Sequence, residues 1–190
     1  MNKTFKKIIN ALIPTAILML TSYLYSANVA QANSSNTLQI DNQSGQVLYI
    51  SVKRDDNLWM DFTTNTWGST TIGSNNIHQI TGQSDSISLI DTGTHSANVY
   101  VSTFKPTGIP SLTSKQIWDF FEYNTDNVWD ISAVDAVGIP MALEYKTRQT
   151  GYRNIPRDFI LKQFTNLPSP FNSQGAIITD GSGNIVRALA

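Results

Sequence analysis

Two stretches carry the strongest strand signals in the chain: Ile117-Trp118-Asp119-Phe120-Phe121-Glu122-Tyr123 and, after a polar gap, Val134-Asp135-Ala136-Val137-Gly138-Ile139-Pro140-Met141-Ala142-Leu143-Glu144-Tyr145. Both are rich in the aromatic and β-branched residues that suit a pleated, half-buried surface. Working back along the chain, Leu38-Gln39-Ile40 and Val47-Leu48-Tyr49-Ile50-Ser51-Val52 flank the turn Asn42-Gln43-Ser44-Gly45 and read as a β-hairpin. Residues 55–86, rich in Asn, Thr, Ser and Gly, read as irregular chain with short strands. Ile87-Ser88-Leu89-Ile90 and Ala97-Asn98-Val99-Tyr100-Val101-Ser102 alternate as half-buried strands do.

Forward of the two strands, residues 155–167 are the one convincing helix. Asn154 is placed to cap it, Pro156 fits its first turn, and Ile155, Phe159, Ile160, Phe164 and Leu167 fall on one face. The tail pairs Gly175–Thr179 with Asn184–Leu189 across Asp180-Gly181-Ser182-Gly183 as a second hairpin. The class predicted is therefore mainly β with one short helix.

The start of the chain reads as an export leader. Lys3, Lys6 and Lys7 precede an apolar run from Ile8 to Tyr25, and Ala30-Gln31-Ala32 offers the small residues of a cleavage site. The run is near the length of a membrane anchor, but Pro14 and the Ala-x-Ala site favour cleavage near Ala32. The reading is a signal peptide over 1–32, a polar leader over 33–37 and one domain over 38–190, secreted to the periplasm or the medium. No later segment is apolar enough to span a bilayer, so no membrane partner is expected after cleavage.

Removing the leader takes away three of the thirteen basic residues and none of the fourteen acidic ones, moving the formal charge from −1 to −4. That argues against a nucleic-acid partner, which would want a basic stripe. With no cysteine, stability has to come from a packed core, which a domain of roughly 150 residues is large enough to build. Charged residues are only 14% of the chain, and a polar, weakly charged surface suits neutral ligands such as sugars.

Glu122 and Asp135 each sit in an apolar strand, where desolvation favours the protonated carboxyl that a general acid needs. Their geometry depends on the gap between them. A tight turn at Thr125-Asp126 sets Glu122 opposite about residue 129 and leaves the two carboxyls roughly 20 Å apart at about 3.3 Å per residue. A ten-residue loop over 124–133 sets residues 122 and 135 opposite each other on one face. The bland alternative is a pair of unrelated strand-end acids. His78 and His95 lack metal-ligand spacing and read as surface or turn residues.

The block Trp118-Asp119-Phe120-Phe121-Glu122-Tyr123-Asn124, with Val128-Trp129-Asp130-Ile131-Ser132-Ala133-Val134-Asp135-Ala136-Val137-Gly138-Ile139-Pro140-Met141-Ala142-Leu143, resembles the catalytic core of glycoside hydrolase family 64, endo-acting β-1,3-glucanases of the thaumatin-like superfamily. Looser collinear similarity runs along the rest of the mature chain. Asp130 stands where the family usually has Asn, and Ala97-Asn98 where it usually has Gly-Arg.

The resemblance implies a thaumatin-like β-sandwich or barrel portion, with Glu122 as general acid and Asp135 as general base in an inverting hydrolysis of β-1,3-glucan. It implies no metal and no organic cofactor. Enzymes of that family continue past the equivalent of Ala190, so the resemblance covers their N-terminal and catalytic-core portion. Trp129, Tyr123, Trp59 and Trp67 are candidates to stack on sugar rings, Trp129 foremost, unless they pack the core or turns. The competing expectations are a non-catalytic glucan- or protein-binding module and a structural protein sharing only the fold.

Overall fold

The computed structural model describes residues 24–28, 36–124, 129–131, 136–145, 148–151, 156–168 and 176–189. In chain order the first strands are β1 (Leu24–Asn28), β2 (Asn36–Asn42), β3 (Leu48–Arg54), β4 (Trp59–Asp61) and β5 (Thr66–Ser69). After a 3-10 turn at Ser74–Asn76 come β6 (His78–Ile80), β7 (Ser84–Leu89), β8 (Ser96–Ser102), β9 (Trp118–Asn124) and β10 (Trp129–Asp130). The chain then forms β11 (Ala136–Val137), β12 (Met141–Tyr145), β13 (Arg148–Gly151), helix α1 (Arg157–Thr165), β14 (Ile177–Thr179) and β15 (Ile185–Leu189). The protein is mainly β, as its sequence predicts.

Two sheets share one core. The first has the order β13-β12-β1-β2-β7; the second has the order β10-β9-β8-β3-β4-β5, with β6 also paired to β3. Alternate residues point inward from both. Leu38, Ile40, Ile87, Leu89, Met141 and Leu143 from the first meet Ile50, Val52, Val99, Val101, Phe121 and Tyr123 from the second. Each such fully buried side chain contributes roughly 1.5–3 kcal/mol.

β2 and β3 are not a hairpin, contrary to the sequence reading. β2 pairs with β7 and β3 with β8, so the connection is an arch from one sheet to the other. The Asn42 side chain holds the arch: its Oδ1 accepts from the Ser44 amide and hydroxyl, and its Nδ2 donates to the Gln46 carbonyl. An Asn/Gly turn serves a hairpin and an arch equally well. What decides is that the apolar faces of both strands are buried when they lie on opposite sides of one core.

Of the strand expected over 134–145, the described residues from Ala136 onward are divided. β11 joins a three-stranded sheet of order β11-β15-β14, whereas β12 joins the first sheet. The break is Gly138-Ile139-Pro140, whose first two amides donate to the buried Asp119 carboxylate at 2.8 and 3.0 Å. The tail hairpin forms as expected, with Ile178 opposite Arg187. Helix α1 covers the small sheet, but its buried face is Ile160, Leu161 and Arg157, with Phe164 half-buried; Phe159 and Leu167 are exposed. Asn154 and Ile155 lie outside the described residues.

Leu24–Asn28, inside the stretch read as a leader, pairs parallel to β12 and antiparallel to β2. Cleavage near Ala32, as the sequence leads one to expect, would take this strand out of the sheet. Residues 1–23 and 29–35, with the expected cleavage site, lie outside the described residues. Among the described residues no helix is long and apolar enough to cross a membrane.

Two stability predictions follow from the Asp119 region. A Cβ on Gly138 would lie 2.0 Å from the Trp118 carbonyl oxygen, a backbone atom that cannot swing away. Gly138→Ala is expected to cost about 2–3 kcal/mol by urea denaturation. Burial raises the Asp119 carboxyl to about 6, against the opposing pull of its amide partners and Arg187. A carboxyl whose folded pKa exceeds its unfolded value of ~3.9 holds its proton more tightly when folded. Its contribution is therefore complete below about pH 4 and fades as pH rises to about 6. Measured against Asp119→Asn, the wild-type chain should lose up to about 3 kcal/mol across that window, and a flat difference would refute the assignment.

Candidate functional site

Alternation along β9 decides what faces solvent. Phe121 and Tyr123 enter the core, so Trp118, Phe120 and Glu122 lie on the outer face of the second sheet. The register then builds one continuous cross-strand row: Asp130 opposite Glu122, Glu122 opposite Asn98, Asn98 opposite Lys53, Lys53 opposite Trp59, and Trp59 opposite Ser69. Beside this row an aromatic cluster fills the face. Tyr100 lies 6.1 Å from Trp59, 6.2 Å from Trp118 and 5.8 Å from Phe120, ring centre to ring centre.

Glu122 stands at the edge of a pocket of about 230 Å3 lined also by Lys53, Arg54, Asp55, Ser96, Asn98, Tyr100 and Ile109. The carboxyl is exposed; its apolar neighbours in sequence point to the opposite side of the sheet. Asn98 donates through Nδ2 to the Tyr100 hydroxyl at 3.3 Å, and Lys53 Nζ donates to Asn57 Oδ1 at 2.7 Å. Burial raises the Tyr100 phenol above its ordinary range.

At the other end of the pocket, Arg54 grips Asp56 with two hydrogen bonds, at 2.9 and 2.6 Å. The Asp56 carboxyl is thereby held low. Asp55 is held low by the Ser96 amide first and then by His95, whose Nδ1 lies 2.5 Å from its Oδ1. Asp55, Asp56 and His95 offer ligating atoms within 4.8 Å of one another, a grouping that spacing in the sequence hid. Each of the three already bonds a neighbour, so a cation would have to displace Arg54 and the His95–Asp55 contact. His78 bonds Asp85 at 2.8 Å.

Of the described residues expected to act on sugar, only Glu122 and Trp59 share the outer face, and Trp59, within the aromatic cluster, is 3% exposed. Trp129 stacks on Tyr123 at 5.3 Å and packs against the core, on the side away from Glu122. Tyr123 is buried and donates its hydroxyl to the Ile90 carbonyl. Trp67 packs against the same core, under the Arg54 guanidinium at 5.1 Å from its ring, and donates Nε1 to the Asp91 carbonyl.

Asp135 lies outside the described residues. The residue opposite Glu122 is Asp130, about one residue from the tight-turn register and five from that of the ten-residue loop. Three residues after position 135, Gly138 returns to the β9 backbone at Trp118 and Asp119.

Compared with protein-family models, curated proteins and solved structures, the chain matches none. Its site is therefore read from its own residues. Asn98 and Lys53 were missed in the sequence: alternation places both outward, but only the register of β3, β8 and β9 sets them beside Glu122.

Trp129 Nε1 is buried and finds no hydrogen-bond partner among the described residues. Trp129→Phe should therefore change stability by less than about 1 kcal/mol, while Trp129→Ala should cost about 3–5 kcal/mol. Urea denaturation of both variants checks this, and a Trp129→Ala change that spares stability would return the ring to the list of sugar contacts.

Proposed function

We propose that this chain is a secreted glycoside hydrolase of β-1,3-glucan, with Glu122 as its general acid. The observation that carries the reading is Glu122 itself: a carboxyl exposed at a polar pocket, in the block Trp118–Leu143 that resembles the family 64 glucanases. Export fits the substrate, because a polymeric glucan cannot enter a cell. Asn98 and Lys53, next along the row from Glu122, supply donors for sugar hydroxyls and ring oxygens.

Hydrolysis by inversion needs two carboxyl groups roughly 6.5–9.5 Å apart. Glu122 protonates the departing glycosidic oxygen while the second carboxylate takes a proton from the water that attacks the anomeric carbon from the far side. Asp135 holds the base role by the resemblance. Asp130, directly across from Glu122 on the same face, is the second carboxylate to test, though a cross-strand neighbour with its Cβ about 5 Å away is closer than inversion calls for. A non-catalytic glucan-binding module is the competing reading.

Glu122→Gln should lower hydrolysis of a linear β-1,3-glucan by about 10²–10⁴-fold, with thermal unfolding unchanged because the side chain is exposed. Asp135→Asn should lower it similarly; the loss falling on Asp130→Asn instead would transfer the base role. Glucan binding without hydrolysis by the wild-type chain would favour the module.

A further inference from the structure

A second pocket opens on the same face of the second sheet, where β4 and β5 meet the 3-10 turn. It measures about 420 Å3, and Asp61, Thr66, Gly68, Ser69, Ser74 and Asn75 supply its chemistry. That volume lies within the roughly 300–1,000 Å3 range of small-molecule sites. Asp61 is opposite Thr66, and Ser69 opposite Trp59. Ser69 thus ends the row that passes Glu122, four strand spacings away, or about 19 Å. The covered aromatic cluster of Trp59 and Tyr100 lies between the two pockets.

The walls are firmly held. Asn76, 4% exposed, donates Nδ2 to the Met60 carbonyl at 2.9 Å and accepts from the Gly73 amide at 2.8 Å; the Phe62 amide donates to the Asn75 carbonyl. Asp61 spends one oxygen, Oδ1, on the Thr63 and Thr64 amides at 2.8 and 3.0 Å. Its Oδ2 lies 3.5 Å from Asn75 Nδ2, and the Thr64 side chain also donates to the carboxylate. The lining thus offers one carboxylate oxygen with spare acceptor capacity among hydroxyls and amides, and no cationic side chain. It suits a neutral ligand that donates hydroxyl hydrogens, and it disfavours anions.

We propose that this pocket is a sugar-binding subsite, holding a pyranose unit of the same β-1,3-glucan chain that reaches Glu122. The inference rests on the reading of Glu122 as a glucanase residue and adds a direction to it: the polysaccharide crosses the strands of the second sheet from the Glu122 pocket to this one, passing over the side chains that cover Trp59 and Tyr100. The Asp61 Oδ2 accepts sugar hydroxyls, and Gly68 leaves room for the ring, since a Cβ there meets nothing within 4 Å.

That open space permits a clean test. Gly68→Leu fills the pocket without touching Glu122, and Asp61→Asn keeps an oxygen for the two threonine amides while removing the charge. Binding of long laminari-oligosaccharides and of laminaribiose is measured by calorimetry on the whole chain, in the Glu122→Gln background to prevent turnover. Each added variant should weaken the long ligands by about tenfold, equivalent to 1.4 kcal/mol, and leave laminaribiose and the unfolding temperature unchanged. Long-ligand affinity unchanged in both variants would overturn the subsite and leave the glucanase reading standing. No binding of any length, together with no hydrolysis by the wild-type chain, would overturn both.

Discussion

Asp119 and Arg187 do for this fold what a disulfide does elsewhere in a cysteine-free chain: they join segments far apart in sequence at one buried point. The Asp119 carboxylate accepts from the Phe120, Gly138 and Ile139 amides. Arg187, 1% exposed, donates to the Trp118 and Leu112 carbonyls and lies 4.1 Å over the Trp118 ring. Arg157 completes the arrangement, donating to the Gly138 and Val186 carbonyls, both at 2.6 Å. Burial lowers both guanidiniums, Arg187 to about 10. Charged groups taken from water this completely are tolerated only because hydrogen bonds meet them on several sides.

The rest of the architecture depends on that point. Gly138 and Ile139 turn their amides to Asp119 instead of to a neighbouring strand, which ends β11 and lets β12 enter the other sheet. Arg187 and Arg157 fasten β15 and α1 beside β9, so the small sheet and its helix cover one end of the sandwich. The glycine is required here by proximity to the Trp118 carbonyl, its backbone conformation being one that any residue can adopt.

The same strand carries the candidate site on its other face. Because β9 is held at its beginning by Asp119, Glu122 is set three residues further along on the opposite face, in a sheet whose strands pair in one order from β10 to β5. The candidate face is a by-product of core packing: Glu122, Asn98 and Lys53 point outward because Phe121, Tyr123, Ala97, Val99 and Val52 are needed inside. Electrostatically the face is mixed, with Lys53 and Arg54 balancing Asp55 and Glu122 at the first pocket, while the second holds the single carboxylate of Asp61.

Much of this was legible in the residues. Alternation in Ala97–Ser102 and in Trp118–Tyr123 marked strands and their outward positions, the Gly-rich turn at 180–183 marked the tail hairpin, and the 155–167 pattern marked the helix. The helix face differs from the one its periodicity suggests, with Phe159 exposed, because helical periodicity shows an apolar stripe but not which part a neighbour covers. The aromatic side chains near Glu122 were read as sugar contacts because closeness in sequence along a strand says nothing of which face each occupies.

What the sequence determined by itself was local: where strands and turns occur, and that Glu122 and Asn98 alternate out of apolar runs, since a period of two depends only on neighbouring residues. Only the tertiary structure decided which strands pair. It made an arch of the expected hairpin, divided residues 136–145 between two sheets, set Asp130 opposite Glu122, and aligned Ser69, Trp59, Lys53, Asn98 and Glu122 in one row. Those choices are made by the burial of both sheets against one core and by the partners of a few buried charges, and both are properties of the whole chain.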